Sequence, residues 1–152
     1  MEENERIVSL FEKLYDGEPW IDVPVRGTLH RISAVQAAQR PLPTCNTIWE
    51  IVNHLIEWKI NVQQRLKGQI TESPANNYIS AIEDVSEEAW NETLRRFDSV
   101  QNEWTEFLRN FDTQSYDKVY PANQWTYYEH VLGLLQHDAY HLGQIVILAK
   151  QP

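Results

Sequence analysis

Apolar residues recur every three or four positions along most of the chain, which is the spacing of an amphipathic α-helix. The first such pattern runs from Ile7 to Leu14 and ends at Gly17, because glycine favours the termination of a helix. No segment shows the two-residue alternation and tight turn that are typical of a β-hairpin. The pattern predicts helices over about 2–15, 28–39 and 47–67, another that begins after Ser86, and a last one over about 126–150.

Two of the predicted helices begin at a capping box, in which a hydroxyl and a carboxylate accept hydrogen bonds from free backbone N–H groups. Thr47 stands three residues before Glu50, and Thr126 stands three residues before Glu129. Four substantial helices and a short one, with no strands, indicate an all-α fold. We therefore expect a four-helix bundle with an additional short helix, formed as a single domain over residues 1–152.

The length of the chain and of its loops fits this architecture. A chain of 152 residues buries roughly 70% of its unfolded surface, which is enough for one self-sufficient domain. The segments 69–85 and 112–125 are longer than most turns in helical bundles. We expect these two loops to cover one end of the bundle or to carry function.

Composition and charge narrow the possible classes of function. Apolar residues make up 42% of the chain and charged residues 23%, as in ordinary globular proteins. The net charge of −9 would repel phosphate backbones, so we expect no nucleic-acid partner. The N-terminus is acidic, unlike a signal peptide, and no apolar run approaches the roughly 18 residues that cross a membrane. We expect a cytoplasmic protein with no membrane partner; its single Cys45 excludes an intrachain disulfide and a cysteine-rich metal site.

A pair of histidines in the last predicted helix offers candidate chemistry. His137 and His141 are four residues apart, so their rings project from adjacent turns of one face and can bind a single metal ion. Leu134 and Leu148 lie on the same face, which indicates that the pair points inward. Buried imidazoles need polar partners. Those partners are either a shared cation or hydrogen bonds to tyrosine hydroxyls and backbone carbonyls, and the pattern alone does not decide between them.

A catalytic metal site needs a third protein ligand from another helix and one open position. His54 is the best candidate, because its helical position puts it at the border between the apolar arc and a solvent-accessible cleft. Glu57, one turn later, is either a base near the metal or a solvated carboxylate. His30 and His130 are further candidates, but His130 lies about 10.5 Å along the helix from His137, so we expect it in the cleft wall or in a simple hydrogen bond.

Two other kinds of metal site are excluded because their sequence motifs are absent. The chain contains no Glu-x-x-His pair of the kind that binds two irons in a helical bundle. It also lacks His-Glu-x-x-His, because Asp138 follows His137. A mononuclear three-histidine site remains. Three imidazoles suit zinc, nickel, cobalt or iron, and we expect zinc or nickel first.

Two blocks of sequence carry a resemblance to a known family. Thr-Ile-Trp-Glu-Ile-Val-Asn-His ends at His54, and His-Asp-Ala-Tyr-His-Leu-Gly-Gln begins at His137, 83 residues later. In these blocks and in its helical layout the chain resembles the DinB/YfiT-like superfamily of metal-dependent four-helix bundles, which includes thiol S-transferases acting with bacillithiol or mycothiol. The resemblance implies His54, His137 and His141 as metal ligands, with water completing the coordination sphere.

The function that this resemblance implies is a metal-dependent S-transferase that joins a low-molecular-weight thiol to an electrophilic substrate. Tyr140 and Gln144 are expected to hold substrate or brace a ligand, or else to pack in the bundle. Trp49, Trp58 and Trp125 are candidates for the lining of an apolar pocket, or for the core.

Two alternatives to the transferase stay open. The same site would suit a hydrolase that uses metal-bound water. The protein would otherwise be a non-catalytic bundle that binds metal or is stabilised by its histidines. Related bundles often pair, so we expect a homodimer that shares the apolar surface of the first and third long helices.

Overall fold

The computed structural model describes residues 2–152 and is all-helical, as the sequence predicts. Within that range the β-structure is one isolated bridge, between Val119 and Thr126. The six α-helices are α1 (Glu3–Asp16), α2 (Val25–Leu29), α3 (Ala34–Ala38), α4 (Ile48–Leu66), α5 (Glu87–Arg109) and α6 (Tyr127–Ala149), and one 3-10 turn covers Thr113–Ser115.

The predicted capping boxes form at the starts of α4 and α6. The Thr47 hydroxyl accepts a hydrogen bond from the Glu50 N–H, while the Glu50 carboxylate accepts one from the Thr47 N–H. Thr126 and Glu129 make the same reciprocal pair. These two long helices therefore begin where local sequence chemistry predicts.

The prediction of one helix over 28–39 is wrong. The structure has two short helices there, α2 and α3, separated at His30–Ser33. Ser33 and Gln36 form a third capping box, so Ser33 begins α3 and cannot lie inside a continuous helix.

The four long helices form the bundle, in which α1 and α6 run opposite to α4 and α5. One apolar cluster joins the end of α1 and the start of α4 to the end of α6 (Leu14, Ile48, Leu148). A second cluster joins the opposite ends, for example at Ile7 and Leu66. Because α4 and α5 run in the same direction, the connection over 67–86 must return along the length of α4. This geometry explains the length of that loop.

A buried polar layer lies between the two apolar clusters. Lys59 is completely buried, and its Nζ donates hydrogen bonds to Asp138 Oδ2 at 2.6 Å and to Gln101 Oε1 at 2.9 Å. The same ammonium lies 5.1 Å from the centroid of the Phe11 ring, close enough for a cation–π contact. This layer ties α4, α5 and α6 together at mid-height in the bundle.

The apolar faces of α1 and α5 are buried against each other and against other helices of the same chain. Their buried residues pack against each other and against neighbouring helices, as in the edge-to-face contact of Phe11 with Trp104. Of the large hydrophobic side chains of these two helices that the structure describes, Leu10 alone is exposed.

Within 2–152, no helix combines the length and apolarity that crossing a bilayer requires.

Candidate metal centre

The structure brings together the three histidines that the sequence singles out. His54 lies on α4, and His137 and His141 lie one turn apart on α6. One ring nitrogen from each lies within 4.8 Å of those of the other two. The Nε2 atoms of His54 and His137 are 2.9 Å apart. Two segments that are distant in sequence therefore converge on one point.

The tautomers of two of these rings are fixed by hydrogen bonds on their far sides. His54 Nδ1–H donates to the backbone carbonyl of Asn77 at 2.6 Å, and His141 Nδ1–H donates to Gln144 Oε1 at 2.6 Å. Both acceptors are oxygens that carry no hydrogen, so each Nδ1 must hold the proton. The Nε2 lone pairs of His54 and His141 are left free for a metal, in the arrangement typical of metal-binding histidines.

All three rings favour the neutral state that metal binding requires. Burial is the main cause, and it lowers the pKa of His54, His137 and His141. The effect is largest for His137, where burial and then the charges of His141, His54 and Lys59 lower the pKa to about 3. At neutral pH the cluster therefore presents lone pairs without positive charge of its own.

The donor set fits a divalent cation. Because the Nε2 atom of His54 carries a lone pair, only one hydrogen, on His137, can lie between the two nitrogens at 2.9 Å. In that tautomer His137 Nδ1 would need a donor, yet this buried atom has no partner among the described residues. A cation bound by one nitrogen of each ring would take the place of that hydrogen and use the lone pairs of all three, and imidazole suits zinc, nickel, cobalt and iron alike. The three-histidine cluster is thus compatible with a metal site.

His54 is more deeply buried than its helical position predicts. Only 2% of its surface is exposed, whereas the pattern along α4 places it at the border of the apolar arc. The difference arises because the 67–86 connection passes over it. Asn77 in that connection accepts the His54 hydrogen bond with its carbonyl and the Trp58 Nε1–H with its side-chain Oδ1. Asn77 and Tyr78 both adopt positive φ angles, 54° and 58°, which are uncommon outside glycine.

The other predicted site residues lie in different places. Gln144 contacts His141 as described, and its Nε2 donates to the Tyr140 hydroxyl at 3.1 Å. Tyr140 is 65% exposed, at the rim of the site. Glu57 is not brought to the cluster: its Oε1 accepts a hydrogen bond from Arg96 of α5 at 2.5 Å.

An open cleft of about 360 Å³ adjoins the cluster at His137. Trp58 and Trp125 line it, as predicted, but Trp49 does not, because it is buried in the core against Trp90. His130 also lies in the cleft wall, which confirms its predicted position. Both long loops reach this region, since Asn77 and Trp125 come from them.

Lys59, Asp138 and Asn77 are the residues near the site that sequence reasoning missed. The first two occupy positions on the inward stripes of their helices, Lys59 four residues after Leu55 and Asp138 four residues after Leu134. A charged residue at such a position signals a buried partner. Asn77 accepts the His54 hydrogen bond with a backbone carbonyl in a loop, and no sequence pattern predicts such a contact.

Comparison with known families agrees with this architecture. The family model described as the DinB superfamily matches residues 25–145. The chain belongs to the DinB superfamily. The matched range contains α2 to α5, most of α6 and all three histidines of the cluster, so this DinB-superfamily chain keeps its candidate ligands inside the family region. Searches of curated proteins and of solved structures give no match.

Proposed function

We propose that this chain is a metal-dependent thiol S-transferase in which His54, His137 and His141 hold a divalent metal. The observation that carries the proposal is the convergence of three neutral imidazoles beside an open cleft. Three protein ligands leave a metal coordination position for a substrate atom. Zinc and nickel are the first candidates for the metal.

The reaction joins a low-molecular-weight thiol to an electrophile. A divalent cation at this site would lower the pKa of a coordinated thiol and so make its sulfur nucleophilic at neutral pH. In the overall reaction, sulfur bonds to the electrophilic carbon, the leaving group departs with the bonding electron pair, and the thiol proton passes to solvent.

The chain itself orients the participants. Asn77 and Gln144 hold the rings of His54 and His141 in the metal-binding tautomer. Trp58 and Trp125 offer apolar walls for the electrophile. The Tyr140 hydroxyl accepts a hydrogen bond from Gln144, so its own hydrogen is free to donate to substrate at the rim.

The surroundings of the cluster favour a transferase over a hydrolase. Activation of water by a metal is commonly assisted by a carboxylate that acts as a general base. In the part of the chain that the structure describes, no Asp or Glu joins the three histidines. Glu57 is paired with Arg96 and Asp138 with Lys59, and Glu129, which borders the cleft, accepts hydrogen bonds from Thr126.

The first experiment is a metal inventory of the untagged protein. We expect about one equivalent of metal, and expect His54→Ala, His137→Ala and His141→Ala each to lower it strongly. His30→Ala is the matched control, because His30 is exposed and outside the cluster. Metal content that survives all three cluster substitutions would show that the ligand assignment is wrong.

The second experiment supplies the metal-loaded protein with a panel of thiols and a haloaromatic electrophile. We expect a thioether product, identified by mass, that requires both thiol and metal. Turnover of an ester or amide without thiol would favour the hydrolase instead. Metal binding without turnover of either kind would favour the non-catalytic bundle. The homodimer remains a prediction, which sedimentation at micromolar concentration tests.

A further inference from the structure

The cleft beside the histidine cluster contains a buried arginine with no carboxylate partner. Arg65 is 7% exposed, and its guanidinium donates to three neutral oxygens, Thr71 Oγ1 (3.2 Å), Thr71 O (3.4 Å) and Ser73 Oγ (3.3 Å). No Asp or Glu oxygen in residues 2–152 lies within 4.0 Å of it. A buried cation normally has an anionic partner, and this chain has 22 acidic residues to offer.

Two aromatic rings lie close to this guanidinium. Its Cζ lies 5.4 Å from the centroid of Trp58 and 4.8 Å from that of Tyr120. These contacts compensate part of the cost of burying the charge.

The Nη1 atom of Arg65 has only a weak partner among the described residues. Arg65 Nη1 lies 3.5 Å from His130 Nε2, which is long for a hydrogen bond. Burial lowers the pKa of His130, and its Nδ1–H donates to the Thr126 carbonyl, which leaves Nε2 as the acceptor. Its Nε2 already accepts a closer hydrogen bond, from Asn123 Nδ2 at 3.2 Å. A carboxylate would be a stronger acceptor for Nη1 than this shared ring nitrogen.

The rest of the cleft is shaped for a flat apolar body. Trp58, Trp125 and Leu134 line it together with Arg65 and His137. Gly133 forms part of its wall, and a Cβ atom built there meets no heavy atom within 4 Å, so the missing side chain leaves room. A volume of about 360 Å³ lies within the range of small-molecule sites.

We infer that this cleft binds an aromatic or similarly flat apolar molecule that carries one carboxylate, with the carboxylate at Arg65 and the apolar body directed toward His137. A single negative charge suits the cleft better than two. Arg65 is the one arginine or lysine in its lining, and the carboxylate of Glu129 also borders it. The inference rests on the proposed function in one respect: the bound molecule would be the electrophilic substrate.

The test compares two probes of the same shape, 2-naphthoate and its neutral amide, by calorimetric titration of the full chain with and without zinc. We expect the acid to bind about 10-fold more tightly or better, because charge-assisted hydrogen bonds to Arg65 exist only for the acid. Equal affinity of the two probes would overturn the inference.

Substitutions test whether Arg65 causes the preference for the acid over the amide. Arg65→Met should bring the ratio of the two affinities to about one, and Arg65→Lys should restore part of it. Arg95→Met is the matched control, since Arg95 is exposed and pairs with Glu92; it should leave the ratio unchanged. An acid preference that survives in Arg65→Met would place the anion elsewhere and overturn the inference.

A second variant does not depend on the folding of Arg65→Met. Gly133→Leu should fill the cleft and weaken both probes about 10-fold or more, whereas Gly143→Leu, on the same helix but outside the cleft, should not. Unchanged binding in Gly133→Leu would overturn the inference. Acid preference in a protein that binds no metal would defeat the proposed function alone, and metal binding without acid preference would defeat this inference alone.

Discussion

The side chains of Lys59 and Asp138 meet at 2.6 Å in the centre of the bundle, one residue along α6 from His137. Lys59 is completely buried and Asp138 nearly so. Removal of one member of a buried ion pair leaves the other charge uncompensated in a medium that solvates it poorly. The pair therefore couples the stability of the fold to the segment that carries two of the candidate ligands.

Lys59→Met is expected to lower the free energy of unfolding by about 3–5 kcal/mol, because it leaves the Asp138 carboxylate buried without its cation. Urea denaturation of the metal-free protein measures the change. The double variant Lys59→Met/Asp138→Leu should recover most of the loss. Arg95→Met, which breaks an exposed pair with Glu92, should change stability by less than about 1 kcal/mol. Equal effects of Lys59→Met and Arg95→Met on the free energy of unfolding would contradict a stabilising role for the buried pair.

Gln144→Leu is expected to weaken metal binding about 10- to 100-fold, because it removes the acceptor that keeps the proton on His141 Nδ1. Gln144→Glu keeps an acceptor and should retain binding. Competition with a chelator of known affinity measures both. Gln136→Leu is the control, as it alters an exposed glutamine of the same helix. If Gln144→Leu and Gln136→Leu behave alike, the hydrogen bond to His141 does not tune the site.

The stability of the protein is expected to fall in acid partly through His130. Burial is the main cause that lowers the pKa of this ring, and the nearby Arg65 adds to it. Below pH about 6.5 the ring binds a proton in the unfolded chain but not in the folded one. The free energy of unfolding therefore decreases as the pH is lowered, by at most about 1.4 kcal/mol per pH unit.

Urea denaturation between pH 7.5 and 5 tests this, with His130→Gln as the comparison. The wild type should lose stability relative to His130→Gln as the pH falls, whereas a His30→Gln control should follow the wild type closely, because His30 is exposed. Parallel curves for wild type and His130→Gln would contradict the assignment.

Two glycines should respond to alanine substitution with opposite signs. Gly133 lies inside α6, where an added Cβ meets nothing within 4 Å, so Gly133→Ala should raise the free energy of unfolding by about 0.5–1 kcal/mol. Gly17 ends α1, and a Cβ there would lie 2.9 Å from Lys13 Cα, so Gly17→Ala should lower it. Thermal or urea denaturation of both variants decides, and effects of the same sign would contradict the packing described.

The long helices could be predicted because their signals are local. Thr47 and Thr126 begin capping boxes that depend on residues only three positions away, and the structure confirms both. The error over 28–39 has the same local origin. Ser33 followed by Gln36 is also a capping-box pattern, and it marks the start of α3 within the segment predicted as one helix.

The candidate site could be predicted only in part, because its surroundings are made by contacts between distant segments. The spacing of His137 and His141 reveals a pair, but the burial of His54 depends on a loop that crosses α4. The direction of Glu57 depends on Arg96 of a neighbouring helix. Helical periodicity predicts the face of the helix on which a side chain lies. Its contacts depend on residues of neighbouring segments, which the local pattern does not contain.

Asn77 accepts two hydrogen bonds, one from His54 Nδ1–H at its backbone carbonyl and one from Trp58 Nε1–H at its side-chain oxygen. A molecule that displaces the Trp58 indole would pull on the same residue that sets the electron-donating strength of His54. Filling of the cleft would then change the affinity of the three histidines for a cation, because both contacts depend on the position of Asn77.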